Sequence, residues 1–346
     1  MMRIAIVGAT GYGGAELIRL LNHHPEVEIV SLHSSSQQGT PYTESYPHLQ
    51  EIIYNKLEEI NPEEMAKNVD LVFLATPSGI SSKLSPELVA QGLKVIDLSG
   101  DLRIKKLEDY EFWYKKCAAP KETIDAAVYG LPEWNKAEIK KATLIANPGC
   151  YPTSVELGLA PLVQKELIVE DSIIVDAKSA VSGAGRSLSA ISHYTEMNDN
   201  FKIYKVNQHQ HIPEIEQTLK GWNGNIGPIT FSTHLVPMTR GIMSTIYVKA
   251  KNKMTIDQLH ELYNEAYENK PFVRVRPKGV FPSTKEVYGS NYCDIGLAYD
   301  ERTGRIMIVS VIDNLVKGAA GQAIQNLNIM MGLDEKTGLN FVPVYP

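Results

Sequence analysis

The residues best equipped for chemistry are one cysteine and a pair of histidines. Cys150 stands in Asn147-Pro148-Gly149-Cys150-Tyr151-Pro152-Thr153. Pro148-Gly149 breaks whatever precedes it, and Pro152 is tolerated in a first helical turn, where its missing N–H costs nothing. Val155, Leu157, Leu159, Leu162 and Val163 then supply an apolar helical face, so the pattern predicts a helix that begins at Cys150. The amides and the positive end of the macrodipole at such a terminus favour thiolate over thiol, pulling a cysteine pKa of roughly 8.5 toward or below neutrality. The same amides can hold an oxyanion beside the sulfur. A buried structural cysteine in a sharp turn is the ordinary alternative; the histidines downstream turn the reading toward a nucleophile.

A thiolate that attacks an acyl group needs a proton shuttle. The stretch from Asn207 to Gln217 places His209 and His211 just ahead of a helix start, with Pro213 suited to the first turn and Glu214 and Glu216 to the positive end of the dipole. Two histidines two apart could ligate a metal from a strand, but no third ligand accompanies them, so the reading is acid/base chemistry with no metal. Arginine forks bind carboxylate or phosphate bidentately. Three are candidates: Arg103 after a strand, Arg186 at the end of the Gly/Ser turn from Ser179 to Gly185, and Arg240 in the turn from Val236 to Gly241. Taken singly, each reads equally well as a surface ion pair.

These groups need a scaffold. Arg3 to Val7 is a short apolar run that stops at Gly8-Ala9-Thr10-Gly11-Tyr12-Gly13-Gly14, and a helix-period stretch from Ala15 to Leu21 follows. Strand, glycine turn and helix in that order are what a dinucleotide site requires. The next strand, Glu28 to Leu32, ends in His33-Ser34-Ser35-Ser36 rather than in an acidic residue. With no carboxylate there to repel a 2′-phosphate and three hydroxyls to bind one, the loop favours NADP over NAD. A third strand, Asp70 to Ala75, ends in Thr76-Pro77-Ser78-Gly79, at the strand end where open α/β sheets bind ligands. A helix from about Ser82 to Gln91 and a strand from Lys94 to Leu98 lead to Arg103, and Glu108 to Trp134 reads as an excursion. After the Cys150 helix the pattern changes to strands at 172–178, 229–235, 243–249, 292–298 and 305–312 with few helices between them, the mark of an α+β domain with a mostly antiparallel sheet. The stretch from Asp313 to Ala323 opens a small-residue helix expected to return to the first domain near the cofactor.

At 346 residues the chain is natural for two domains. A net charge of −6 without a basic run argues against a nucleic-acid surface, so any phosphate site must be local. No apolar run reaches the roughly 18 residues of a membrane span, and Met1-Met2-Arg3 leads straight into a strand without the apolar region of a signal peptide. Cysteines at 117, 150 and 293 have no CxxC spacing. The expectation is a reducing cytoplasm.

Ile145 to Thr153, continuing to Gly158-Leu159-Ala160-Pro161, resembles the active-site signature of the N-acetyl-γ-glutamyl-phosphate reductases of arginine biosynthesis, and His209 to Ile215 resembles their second motif. Ser154 departs from the pattern, which has Gly or Ala there; a small residue is kept. The resemblance covers nearly the whole chain. It implies a semialdehyde-dehydrogenase-like plan, with an α/β Rossmann-type NADP-binding domain at 1–147 and 314–346 and an α+β catalytic and dimerisation domain at 148–313. It implies catalysis by Cys150 and His211, with His209 as the alternative acid/base. The cofactor would be held by Gly8, Thr10, Gly11, Tyr12, Gly13, Gly14, Ser34, Ser35, Ser36, Thr76, Pro77, Ser78, Ser182, Gly183 and Asn314. The substrate would be held by Arg103, Asn147, Ser179, Arg186, His209 and Arg240.

The implied reaction is reductive dephosphorylation of an acyl phosphate through a cysteine thioester, in a homo-oligomer. The rivals are an aspartate- or aminoadipate-semialdehyde dehydrogenase of the same plan and a non-catalytic NADP-binding regulator. A regulator needs neither Cys150 nor His211. One methylene of substrate length is worth only about 1–3 kcal/mol of discrimination, too little to read from residue types.

Overall fold

The computed structural model describes residues Met1–Pro346 as two compact units, Met1–Pro148 with Ala319–Asn340, and Gly149–Gly318 with Phe341–Pro346. The first contains β1 (Met2–Val7), α1 (Tyr12–Leu21), β2 (Val27–His33), α2 (Tyr42–Ser45), β3 (Leu57–Glu58), α3 (Pro62–Asn68), β4 (Leu71–Leu74), α4 (Ser81–Ala90), β5 (Lys94–Asp97), α5 (Leu107–Tyr114), α6 (Lys121–Ala126), β6 (Val128–Tyr129), α7 (Pro132–Ile139) and β7 (Leu144–Ala146). Its strands pair in parallel in the order β3-β2-β1-β4-β5-β7-β6. Parallel strands are covered on both faces, which is why Ile4–Val7 and Leu71–Leu74 are apolar at consecutive positions and buried throughout. The order reverses between β1 and β4, and ligands of such sheets bind at the carboxyl ends of the strands flanking the reversal. Glu108 to Trp134, an excursion by pattern, folds as short helices around edge strand β6.

The second unit contains α8 (Cys150–Gln164), β8 (Ile174–Ala180), α9 (Tyr194–Met197), β9 (Lys202–Tyr204), α10 (Ile212–Trp222), β10 (Thr230–Val236), β11 (Ile242–Lys249), α11 (Ile256–Tyr267), β12 (Val273–Val275), β13 (Cys293–Asp300) and β14 (Arg305–Ile312). The sheet order is β12-β13-β14-β11-β8-β10-β9, antiparallel except at β12/β13 and β8/β10. Along β10 and β11 buried residues alternate with half-buried ones, as in a sheet with one covered face.

Helix α8 lies on the covered face, against β11 and β14, and is buried at every residue from Tyr151 to Val163. Gly158 permits the approach, since a Cβ there would come within 2.9 Å of Ile246. Pro161 has no N–H for the carbonyl of Leu157 four residues back, and the hydroxyl of Tyr267 donates to that oxygen instead. Ser154 explains its own departure from the motif: its hydroxyl meets Ser244 Oγ at 3.0 Å and Ser310 Oγ at 3.2 Å, so a buried serine cluster takes up the extra oxygen.

After a π-helical turn at Val316–Ala320 the chain enters α12 (Gly321–Met331), which packs in the first unit on α1, α7 and β5. The resemblance implies a crossing at residue 314, and the chain stays with the second unit through Gly318. Asn314 accepts the Gly241 N–H at 2.7 Å and donates to Ser182 Oγ at 2.9 Å, and the Gly318 N–H bonds the carbonyl of Asp313 at 3.0 Å. No helix is long and apolar enough to cross a membrane.

Candidate active site

Cys150 is the first residue of α8, and Gly149 caps the helix in extended backbone (φ −69, ψ 160). The first helical hydrogen bond runs from the Thr153 N–H to the Gly149 carbonyl at 3.0 Å. Pro152 has no N–H, so the amides of this first turn are those of Cys150 and Tyr151. Gly318 closes on the cysteine, because a Cβ at that position would stand 2.8 Å from Cys150 Cβ. Tyr151 packs edge-on against His209 (5.2 Å between ring centres), His211 (6.0 Å) and Phe231 (5.5 Å). Its hydroxyl meets that of Tyr204 at 3.1 Å. Burial pushes Tyr151 far above the usual phenol range and Tyr204 up to about 12.

The two histidines differ. His209 is buried among Tyr151, Tyr204 and Phe231, and its Nδ1 accepts the His211 N–H at 3.2 Å. Burial, helped by Lys205, drives its pKa down to about 3. His209 is therefore neutral through the physiological range. His211 is the cap of α10, and its ring lies beside Tyr151. Glu214, read from the pattern as serving its own helix dipole, accepts the Gly149 N–H at 2.8 Å and is fully buried. Its position three residues after the helix cap was the visible signal; its partner on another helix was not.

Five further predicted residues converge in this unit. The side chain of Asn314 links the Ser182 turn to Gly241, where φ is +117. A Cβ on Gly183 would stand 3.2 Å from Ser179 Oγ and 3.9 Å from Asn314 Nδ2. Arg240 reaches the buried Asp313 at 3.6 Å and lies over the Tyr288 ring. Asp313 also accepts the N–H groups of Gly289, Leu315 and Val316. Arg186 is exposed beyond Gly185 (φ +81).

In the first unit the glycine turn has the expected build. Gly8 sits at φ +82, and a Cβ there would come 2.4 Å from the carbonyl of Ala75; a Cβ on Gly14 would come 2.5 Å from that of Gly8. These two glycines let β4 and α1 close on the turn, while Gly11 caps α1 in extended backbone. Gly13, with only Ala75 Cβ at 3.8 Å from its own missing Cβ, keeps the surface open. Two tyrosines missed by sequence brace this turn from α2 and the residue after it: the Tyr42 hydroxyl donates to the Ala9 carbonyl at 3.2 Å and that of Tyr46 to Thr10 at 3.0 Å. Thr10 is half-buried and Tyr12 exposed.

At the end of β2, Ser34 is buried and receives the Ser36 N–H at 3.4 Å, while Ser35 and Ser36 are exposed. His33 is held between Ser31 Oγ (2.8 Å) and the Glu59 carbonyl (2.7 Å). After β4, Thr76 Oγ1 meets Ser81 Oγ at 2.8 Å, Pro77 is exposed and Ser78 half-buried.

Arg103 and Asn147 face inward. Arg103 is buried and donates from Nε to the Asn147 carbonyl and from Nη2 to that of Leu98, both at 2.7 Å. Asn147 donates to the Ala319 carbonyl at 3.1 Å and accepts from Asn326 at 3.0 Å. Two of the Arg103 donors thus meet backbone carbonyls and brace the Asn147 turn. At the end of β5, burial and the neighbouring Asp101 raise the fully buried Asp97 to about 6. Asp101 itself accepts the N–H groups of Gly79 and Ser82.

Both units match known domains: residues 3–142 the semialdehyde dehydrogenase NAD binding domain, and 150–314 the semialdehyde dehydrogenase dimerisation domain. The class is that of a two-domain semialdehyde dehydrogenase. Aspartate semialdehyde dehydrogenase II from Vibrio cholerae shares the fold with a TM-score of 0.71 at 18% identity over 96% of this chain and 99% of that one. The Candida albicans enzyme, solved with NADP, has a TM-score of 0.67 at 20% identity over 96% and 98%. Closer relatives resolve the family. N-acetyl-γ-glutamyl-phosphate reductases from Geobacillus sp. (strain WCH70) and Bacillus subtilis (strain 168) are 64% and 60% identical to this chain over 100% of both lengths. The chain belongs to the N-acetyl-γ-glutamyl-phosphate reductase family.

Proposed function

We propose that this protein reduces N-acetyl-γ-glutamyl phosphate with NADPH to N-acetylglutamate 5-semialdehyde and phosphate, a step of arginine biosynthesis in the cytoplasm. The observation that carries the reading is Cys150 at the first residue of α8 with His211 at the cap of α10, both beside Tyr151. The Cys150 thiolate adds to the acyl carbon, and the bond from that carbon to the phosphate oxygen breaks, leaving a thioester. A reduced nicotinamide held by the glycine turn of the first unit would supply the hydride that the thioester carbonyl carbon accepts. His211 protonates the resulting oxyanion and takes the proton back as the carbon–sulfur bond breaks and the aldehyde leaves. His209, neutral and bonded to the His211 N–H, orients the acid/base rather than sharing its work.

The glycine turn suits a dinucleotide pyrophosphate, since Gly8 and Gly14 admit no Cβ and Gly11 and Gly13 leave the α1 amides uncovered by side chains. Thr10 and Tyr12 flank that group, Ser34 to Ser36 bind the 2′-phosphate, and Thr76 to Ser78 with Ser182, Gly183 and Asn314 contact the rest of the cofactor. Ser179, Arg186 and Arg240 bind the substrate anions, with Arg103 holding Asn147 in place. The first unit, with the C-terminal helix, supplies most of the cofactor contacts, and the second supplies the catalytic pair and most of the substrate contacts. The half-buried face of β8, β10 and β11 supports assembly as a homo-oligomer, dimer or tetramer, and the second unit matches a dimerisation domain.

The test is phosphate-dependent reduction of NADP with N-acetylglutamate semialdehyde, run beside aspartate semialdehyde. Turnover with the first at a kcat/KM at least about tenfold above the second is expected. A preference for aspartate semialdehyde would move the protein to the rival specificity, and no turnover with either would sink the enzymatic reading.

A further inference from the structure

We propose that Glu214 is a positioning residue that holds the nucleophile and the acid/base histidine in register. The inference rests on the roles given to Cys150 and His211 above. Glu214 Oε1 accepts the N–H of Gly149 at 2.8 Å, in a fully buried setting. Gly149 immediately precedes Cys150 and caps α8; Glu214 lies in the first turn of α10, three residues after His211, which caps that helix. One hydrogen bond therefore joins the start of the nucleophile's helix to the start of the histidine's helix.

An acidic residue at the third helical position ordinarily reaches back to the N–H of its own cap. Here the His211 N–H goes to His209 Nδ1 at 3.2 Å instead, and Glu214 serves the neighbouring helix. Beside that bond, the Tyr151 ring packs edge-on against the rings of His209 and His211. Ring packing sets a separation but tolerates sliding. A buried carboxyl on a main-chain N–H is directional and costly to leave unmade, so the register of sulfur against imidazole depends on it.

The experiment compares two full-length variants. Glu214→Gln keeps the reach of the acceptor and loses the acid; Glu214→Asp keeps the acid and withdraws the acceptor by one carbon. If Glu214 acts by reach, Gln retains kcat within about threefold, whereas Asp loses roughly 10- to 100-fold, the scale of an ångström's misplacement of a reacting group. KM for NADPH stays unchanged in both. A second readout needs no substrate: alkylation of Cys150 by iodoacetamide, followed on the Cys150 peptide by mass spectrometry, slows about tenfold in Asp and less than twofold in Gln. Equal behaviour of Asp and the parent protein, or a Gln variant as impaired as Asp, overturns the proposal. If the parent protein itself fails to turn over the acyl phosphate, the functional reading fails, while the alkylation contrast still judges Glu214.

Discussion

Helices α1 and α8 begin alike and are put to different use. Each follows a glycine in extended backbone, φ −78 and ψ 166 at Gly11, φ −69 and ψ 160 at Gly149; neither has a side-chain cap or an acidic residue in its first turn. Such bare termini present amides and a partial positive charge to whatever anion lies in front. At α1 the first turn is Tyr12, Gly13 and Gly14, all with N–H groups, and the preceding turn is held from behind by Tyr42 and Tyr46. At α8 the first turn is Cys150, Tyr151 and Pro152, one donor fewer, and Glu214 holds the capping residue. The first terminus suits a large anion brought from outside. The second suits a single small charge, a thiolate or the oxyanion formed next to it. On the function proposed above, the same backbone device serves binding in one place and chemistry in the other.

Removing the sulfur is the strongest way to separate the two termini. Cys150→Ser should abolish turnover, because a hydroxyl at neutral pH is far less nucleophilic than a thiolate, while NADPH binding by titration calorimetry and the melting temperature stay near those of the parent. Substantial activity in this variant would remove the covalent step.

The proton shuttle comes next. His211→Asn should lower kcat by roughly 10²- to 10⁴-fold and erase the histidine limb of its pH profile. His209→Asn should leave that limb in place, since a histidine with a pKa of about 3 is already neutral over the assay range. An inactive His209 variant beside an active His211 variant would exchange the two assignments.

A smaller effect is expected at the end of β5, in stability. The folded pKa of Asp97 is raised from 3.8 to about 6, so between about pH 4 and pH 6 the folded chain holds a proton that the unfolded chain has lost. Stability from this group is present below that window, falls as pH rises through it, and stays low above. The difference of about 2 units corresponds to roughly 3 kcal/mol at most. Asp97→Asn should flatten that part of the decline, which thermal melts of both proteins from pH 4 to pH 8 would reveal; parallel curves would mean that Asp97 is not the group responsible.

The gentlest change bears on the α1 terminus. Tyr46→Phe removes one hydroxyl donor from the Thr10 carbonyl, worth about 1 kcal/mol. KM for NADPH should rise a few-fold with kcat held. A fall in kcat alone would mean that the tyrosine serves something other than the cofactor turn.

What could be read from the residues in order was whatever local chemistry decides. Pro148-Gly149 ahead of Cys150, Pro213 after His211 and the glycines after β1 each impose a turn or a helix start on a few neighbouring residues; the starts of α8 and α10 stand where the pattern put them, while α1 begins at Tyr12, ahead of the stretch from Ala15 that the pattern gave. The strands of both sheets followed from apolar runs and alternation for the same reason. Short edge strands such as β9 and β12 carry too few residues to make a pattern.

Tertiary structure decided the partners. Glu214 meets Gly149 across 65 residues, Arg103 meets Asn147 across 44, and Tyr46 meets Thr10 across 36. Glu58 stands beside His33 only because β3 pairs with β2, so the acid-free end of β2 is acid-free along the chain but not across the sheet. His209 and His211 are equivalent in sequence, two residues apart before one helix. Both are buried, but His209 is packed among Tyr151, Tyr204 and Phe231, and that desolvation, helped by Lys205, keeps it neutral, because desolvation depends on what the fold packs around a ring.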